Sequence, residues 1–256
     1  MVIKLKKGLI TKDLKKTFGG LVALESVDIE VKKGLMTMLI GPNGSGKTTL
    51  INVIAGFYKP DRGNVWYNDR EITGLPPHRL YEMGIVRTFQ IPQPFLKLTV
   101  FENLMTACRG NPGEGFFKAL VKSSWLKTEE QTSEQAFEIL SILNLDHLWN
   151  EESQKLSGGQ TKLLEVGRAL MCGAELLLMD EPAAGINPVL AHEVFDHLKE
   201  IGQKLGITFL VVEHRLDVAL KYVDYVYAMA RGRIISKGYG DEVLNDPSVI
   251  ESYLGR

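Results

Sequence analysis

Apolar and polar positions alternate with period two over residues 9–18 and again over 24–31, where Val27, Ile29 and Val31 share a face. Gly19-Gly20 lies between the two runs, which predicts two strands joined by a tight turn. Residues 35–40 form a short apolar run ending at Gly41, and residues 48–55 carry the helical period. Residues 63–67 and 85–89 read as further strands. Past Pro92 and Pro94 the pattern changes to helix, over 101–109 and 129–143, with a Gly/Pro-rich stretch at 110–115 between them. After Gly159, Leu163, Val166, Leu170 and Met171 fall on one helical face. Strand and helix then alternate: strands at 176–179, 207–212 and 225–229, helices at 188–205 and 215–221. Uninterrupted apolar strands alternating with helices predict a buried parallel sheet of βαβ units, with residues 91–165 as a helical insertion.

Composition narrows the class. The 256 residues are 45% hydrophobic and 24% charged, in the soluble globular range, and the prior is one large domain or a core with an insertion. Thirty basic against 31 acidic residues leave a net charge of −1, which argues against broad electrostatic binding to nucleic acid. Two cysteines make neither a disulfide framework nor a metal knuckle and suit a reducing compartment. The longest apolar runs, such as Leu176-Leu177-Leu178-Met179, fall far short of the ~18 residues of a membrane span. Lysines interrupt the N-terminal stretch too early for a signal peptide. Work at a membrane would therefore need another chain as anchor.

Gly41-Pro42-Asn43-Gly44-Ser45-Gly46-Lys47-Thr48 matches the phosphate-loop pattern, between an expected strand and an expected helix. Glycines let successive backbone N–H groups turn toward phosphate, and the helix N-terminus adds its partial positive charge. Lys47 would reach the β- and γ-phosphates and Thr48 would ligate Mg²⁺. The apolar strand at 176–179 ends in Asp180-Glu181, and parallel sheets gather ligands beyond their strand ends. Asp180 should therefore lie near the metal, leaving Glu181 free to orient water.

Leu156-Ser157-Gly158-Gly159-Gln160 opens a helix. Ser157 reads either as an ordinary N-cap or as part of a second anion site about 110 residues beyond the first. Two subunits arranged head to tail would give such a second site a purpose. His214 and Gln90 each follow an apolar strand, so four strand ends would deliver polar groups to one sheet edge. Phe18 is either an adenine-stacking ring or a core aromatic. His78, His147, His192 and His197 have no metal-ligand spacing and take no role.

The phosphate loop, Gln90, residues 156–160, Asp180-Glu181 and His214, in this order, resemble the nucleotide-binding subunit of an ATP-binding cassette (ABC) transporter, over about residues 9–254. The resemblance implies an α/β fold: a P-loop NTPase, RecA-like core with an N-terminal antiparallel β-subdomain and an inserted α-helical subdomain. It implies one ATPase domain over 1–256, with 1–90 plus 166–256 as core and β-subdomain, and 91–165 as the helical subdomain carrying the signature loop. ATP and Mg²⁺ are the implied cofactors. ATP would be held by Phe18, by Gly41, Pro42, Asn43, Gly44, Ser45, Gly46, Lys47 and Thr48, and by Thr49. Metal contacts would come from Thr48, Gln90 and Asp180, with Glu181 as base, His214 at the γ-phosphate, and Lys47 and Gln90 assisting. Leu156, Ser157, Gly158, Gly159 and Gln160 would meet the partner subunit's ATP.

A finer similarity is to branched-chain amino-acid importer ATPases, through Phe18-Gly19-Gly20-Leu21-Val22-Ala23-Leu24, Asn52-Val53-Ile54-Ala55-Gly56-Phe57-Tyr58-Lys59-Pro60, Arg87-Thr88-Phe89-Gln90 and Pro182-Ala183-Ala184-Gly185-Ile186-Asn187-Pro188. Cassettes for urea or lipid share much of this. Ser45, Thr161 and Asn187 depart from the commoner residues without removing a phosphate, metal or base group. The expected partners are integral membrane permease subunits, a second like or unlike ATPase subunit and, indirectly, an extracytoplasmic substrate-binding protein, but not nucleic acid. The expected place is the cytoplasmic membrane face. Rival readings are a soluble cassette ATPase in DNA repair, ribosome function or iron–sulfur assembly, and an ATP-binding scaffold without turnover.

Overall fold

The computed structural model describes residues 8–88, 92–111, 113, 115 and 119–254. The chain divides into two compact units. The first takes the described parts of Met1–Gln90, Glu175–Ala184 and Leu198–Arg256; the second takes those of Ile91–Ala174 and Gly185–His197.

The first unit holds two sheets. Strands β1 (Gly8–Phe18) and β2 (Leu21–Lys32) pair antiparallel around the Gly19-Gly20 turn. With β4 (Arg62–Tyr67) and β5 (Arg70–Glu71) they form a four-stranded sheet in the order β2-β1-β4-β5. The second sheet runs β10-β9-β3-β8-β7-β6. Its members are β3 (Met36–Ile40), β6 (Ile85–Arg87), β7 (Leu176–Asp180), β8 (Thr208–Val212), β9 (Tyr225–Ala230) and β10 (Arg233–Gly238). All are parallel except β10, which pairs antiparallel with β9. Every residue of β3, β7 and β8 is buried, as expected for parallel strands covered on both faces.

Helix α1 (Lys47–Ile54) joins the sheets through one core. Its Leu50, Ile51 and Ile54 pack in a cluster with Leu9, Val27 and Val31 from the antiparallel sheet and Leu39, Leu178 and Leu210 from the parallel one. The unit also contains the short helices α2 (Pro77–Glu82), α7 (Leu216–Ala219), α8 (Gly240–Leu244) and α9 (Pro247–Leu254).

The second unit packs α3 (Val100–Met105), α4 (Leu126–Ile142) and α5 (Gly158–Met171). Gly167 lets them close up: a Cβ there would stand 2.7 Å from Leu143 and 2.9 Å from Leu104. Helix α3 opens with a capping box. Thr99 Oγ1 accepts from Glu102 N–H at 3.1 Å, and a Glu102 carboxylate oxygen accepts from Thr99 N–H at 2.8 Å. Buried Asn103 then ties the helix to the chain before it, donating to the carbonyls of Phe95, Leu98 and Thr99 and accepting from Phe95 N–H. Helix α6 (Pro188–Leu205) contributes residues to both units.

Two expected helices prove shorter. That over 101–109 stops at Met105, where the Thr106 hydroxyl bonds back to Asn103 O at 2.9 Å and competes for a helical acceptor. That over 215–221 is only Leu216–Ala219, closed by Tyr222 N–H on Ala219 O. Among the described residues no helix is long and apolar enough to cross a membrane.

Leu178, fully buried in mid-sheet, sits in that shared core. Leu178→Ala should lower the unfolding free energy by about 2–5 kcal/mol, read as a fall in the urea midpoint at unchanged slope.

Candidate functional site: a phosphate loop at the ends of parallel strands

Strand register decides what meets at the sheet edge. Leu39 of β3 and Asp180 of β7 both lie level with Val212 of β8. Neighbouring strands stand ~4.8 Å apart, so the three exits fall within about 10 Å. Beyond them come Ile40-Gly41, Glu181 and Glu213-His214. The expected convergence is present for Gly41, Asp180 and His214. The fourth strand, β6, ends at Arg87, and Gln90 lies outside the described residues.

After β3 the chain coils through Pro42, Asn43, Gly44 and Ser45 into α1. Ser45 N–H closes the turn on Pro42 O, and Gly46 is the helix cap at φ +107°. Two glycines are sterically required: a Cβ on Gly41 would lie 2.0 Å from Met229 O, and one on Gly46 would lie 2.4 Å from Ala23 O. The first turn of α1, with Lys47, Thr48 and Thr49, leaves its amides free of helical partners. The Lys47 ammonium curls over the loop, donating to the carbonyls of Gly41 at 2.7 Å and Pro42 at 2.9 Å. Burial pulls its pKa below the usual lysine value, opposed by the charges of Glu181 and Asp180.

Asp180, at the end of β7, is buried, and burial raises its pKa against the attraction of Arg87. Arg87 reaches it at 3.3 Å, bonds Asn52 of α1 with its other nitrogen and lies 5.4 Å over the Phe57 ring. Glu181 takes φ +52°, a strained value for a residue with a side chain. Its Oε1 stands 3.2 Å from His214 Nε2. Two bonds fix the backbone: Glu181 N–H donates to Val212 O, and Ala184 N–H donates to Glu181 O.

Phe18 is about 41% exposed, edge-on to Tyr58 at 5.1 Å and 5.4 Å from the Lys16 ammonium, so it is no core residue. Asp61 fastens that strand end: it accepts from the Thr17 hydroxyl, Lys16 and Thr17 N–H, which hold its carboxyl at about 2.

In the second unit, Ser157 caps α5 reciprocally. Its hydroxyl accepts from Gln160 N–H at 3.3 Å, and Gln160 Oε1 accepts from Ser157 N–H at 2.9 Å. Leu156 is half-buried, Ser157 and Gly158 are exposed, and Gly159 is buried with Leu190 3.6 Å from where its Cβ would be. The segment before the loop is anchored by Ser153, which bonds Phe95 O and Leu98 O. The N-cap reading of Ser157 therefore holds, with Ser157 and Gly158 exposed at the helix tip.

Arg87, Asn52 and Asp61 carry no role in the sequence motifs; only the fold brings Arg87 to Asn52, Asp180 and Phe57, and Asp61 to Thr17.

A family model described as "ABC transporter" matches residues 24–184. A relative from Archaeoglobus fulgidus, named probable branched-chain amino acid transport ATP-binding protein LivG, is 55% identical over 97% of this chain and 96% of its own length. A solved nucleotide-free ATP-binding cassette from an ABC transporter superposes with a TM-score of 0.83 at 49% identity, covering 98% of this chain and 100% of its own. The ADP conformation of an ATP-binding cassette of an ABC transporter gives 0.84 at 47%, covering 98% and 99%. The chain belongs to the ABC transporter family, as an α/β ATP-binding cassette with ATPase activity.

The raised pKa of Asp180 couples the protein's stability to pH. The folded state keeps its proton to higher pH than the unfolded chain, so stability falls as pH rises from the ordinary carboxylate value through the raised one. Asp180→Asn should remove this fall. The measurement is the urea midpoint of nucleotide-free protein from pH 4 to 7, where the variant's profile should be flatter.

Proposed function

We propose that the chain is the ATP-hydrolysing motor subunit of an importer for branched-chain amino acids, peripheral on the cytoplasmic membrane face. Supporting it above all is the meeting of the 41–48 loop, Asp180, Glu181 and His214 at one sheet edge. The names of its relatives support the cargo.

In this reading the loop amides and Lys47 bind the β- and γ-phosphates of ATP, and Phe18 stacks on adenine. The Gly41 and Pro42 carbonyls hold the Lys47 ammonium over the loop, and phosphate oxygens are strong acceptors for such a desolvated ammonium. Thr48, Asp180 and Gln90 would hold Mg²⁺. The donor set suits a hard cation: Asp180 is a buried carboxylate, and the exposed Thr48 hydroxyl has no hydrogen bond among the described residues. Mg²⁺ would supply charge neutralisation on the phosphates.

Glu181 orients the attacking water and takes its proton, while His214, held beside Glu181, contacts the γ-phosphate. Residues 91–165 act as a helical subdomain that presents Leu156, Ser157, Gly158, Gly159 and Gln160 to the ATP of a second ATPase subunit, like or unlike, turned head to tail. Two ATPs then lie between two chains, and their hydrolysis removes the ligand that favours the closed dimer. Integral membrane permease subunits receive the resulting opening, with an extracytoplasmic binding protein delivering cargo to them.

Glu181→Gln tests the assignment. It should retain ATP affinity, slow Mg²⁺-dependent phosphate release by at least about 100-fold and accumulate an ATP-dependent dimer in light scattering. Turnover near the normal rate would remove Glu181 from the role of base.

A further inference from the structure

Glu213 follows β8 directly and is 1% exposed. One carboxylate oxygen accepts from Ala183 N–H at 2.7 Å; the other accepts from His214 N–H at 2.9 Å and Arg215 N–H at 3.1 Å. Among the described residues no basic side chain pairs with it, so three backbone amides carry the whole burden of its desolvation. A serine or asparagine would cap one turn at lower desolvation cost. What a carboxylate adds is two acceptor oxygens and no donor, which lets a single group bind two chain segments at once.

The two segments are the exits of β7 and β8. Ala183 stands two residues beyond Glu181, and His214 is the next residue after Glu213. Backbone strain such as the +52° φ of Glu181 persists only where its surroundings over-determine it. On one side Glu181 is fixed by its own N–H on Val212 O at 2.8 Å; on the other, the chain is fixed by Ala183 N–H on Glu213. The same carboxylate holds the amide of His214, whose ring meets Glu181 at 3.2 Å. One buried group thus sets both ends of the Glu181–His214 pair.

We propose that Glu213 is a positioning residue for hydrolysis, bracing the two strand exits so that the Glu181 carboxylate and the His214 imidazole stay in register for the attacking water. This rests on the reading of Glu181 as the base. Glu213 acts through its neighbours and leaves nucleotide affinity to the 41–48 loop.

The test is steady-state phosphate release by the full chain with Mg-ATP, together with equilibrium ATP binding. Glu213→Gln keeps the shape but turns an N–H donor toward an N–H donor. It should lower kcat by about 10-fold or more, given that ~1 Å of misplacement costs about 100-fold. KM and ATP affinity should stay within about 2-fold, since the phosphate loop is untouched. Added to Glu181→Gln, it should lower single-turnover hydrolysis by no more than about 2-fold further, because residues acting as a unit are not additive. Where the Gln variant shows no cooperative unfolding transition, Glu213→Asp supplies the same readout: it keeps the charge but withdraws the carboxylate by one methylene. A kcat within about 2-fold of the parent in a folded variant overturns the inference while leaving an inactive Glu181→Gln, and hence the base, intact. So does a loss of ATP affinity matching the loss of kcat, or a full effect repeated in the Glu181→Gln background. An active Glu181→Gln overturns the base assignment and this inference together.

Discussion

The parallel pairing of β7 with β8 and of β8 with β3 is the constraint on which the site depends. Because Leu39, Val212 and Asp180 lie level, the residues that follow them emerge side by side from three wholly buried strands. A slip of one residue in any of these pairings would exchange the side chains of the two faces and break the packing of Leu178 and Leu210 in the core shared with α1. The core therefore enforces the register, and the register places the chemistry. Leu178 and Leu210, from the core they share with α1, bear on the phosphate loop in this sense.

On that frame, electrostatics decides which groups are poised. Asp180 is desolvated and attracted to Arg87; Lys47 is desolvated and attracted to Asp180 and Glu181. Opposite charges buried near one another in this way are costly alone and favourable once a charged ligand completes the set. The carbonyls of Gly41 and Pro42 hold the Lys47 ammonium over the loop.

Much of this was legible in the sequence because the signals were local. The 41–48 pattern, the apolar run into Asp180-Glu181 and the alternation of 9–18 each carry their meaning within a few residues. Strand β10 was not anticipated: Arg233-Ile234-Ile235-Ser236-Lys237-Gly238 is an edge strand and mixes polar with apolar positions. The early ends of α3 and α7 come from single side-chain or turn bonds that periodicity does not register. Arg87–Asn52, Asp61–Thr17 and Glu213–Ala183 bridge 35, 44 and 30 residues of chain, so their meaning exists only once the strands are paired. For Ser157 the helix-cap reading is met, with Ser157 and Gly158 exposed at the helix tip.

The central claim is that a phosphate loop on one chain and the Ser157 helix tip on another grip one ATP. Cross-linking tests it most directly. One chain would carry Asn43→Cys, a second Ser157→Cys, both with Cys108→Ser, leaving only the buried Cys172 as native thiol. After mixing, a short bis-maleimide should join the two kinds of chain when Mg-ATP is present in a Glu181→Gln background, and not without nucleotide. Absence of a chain-to-chain product with ATP bound, or the same yield with and without ATP, would contradict the shared site.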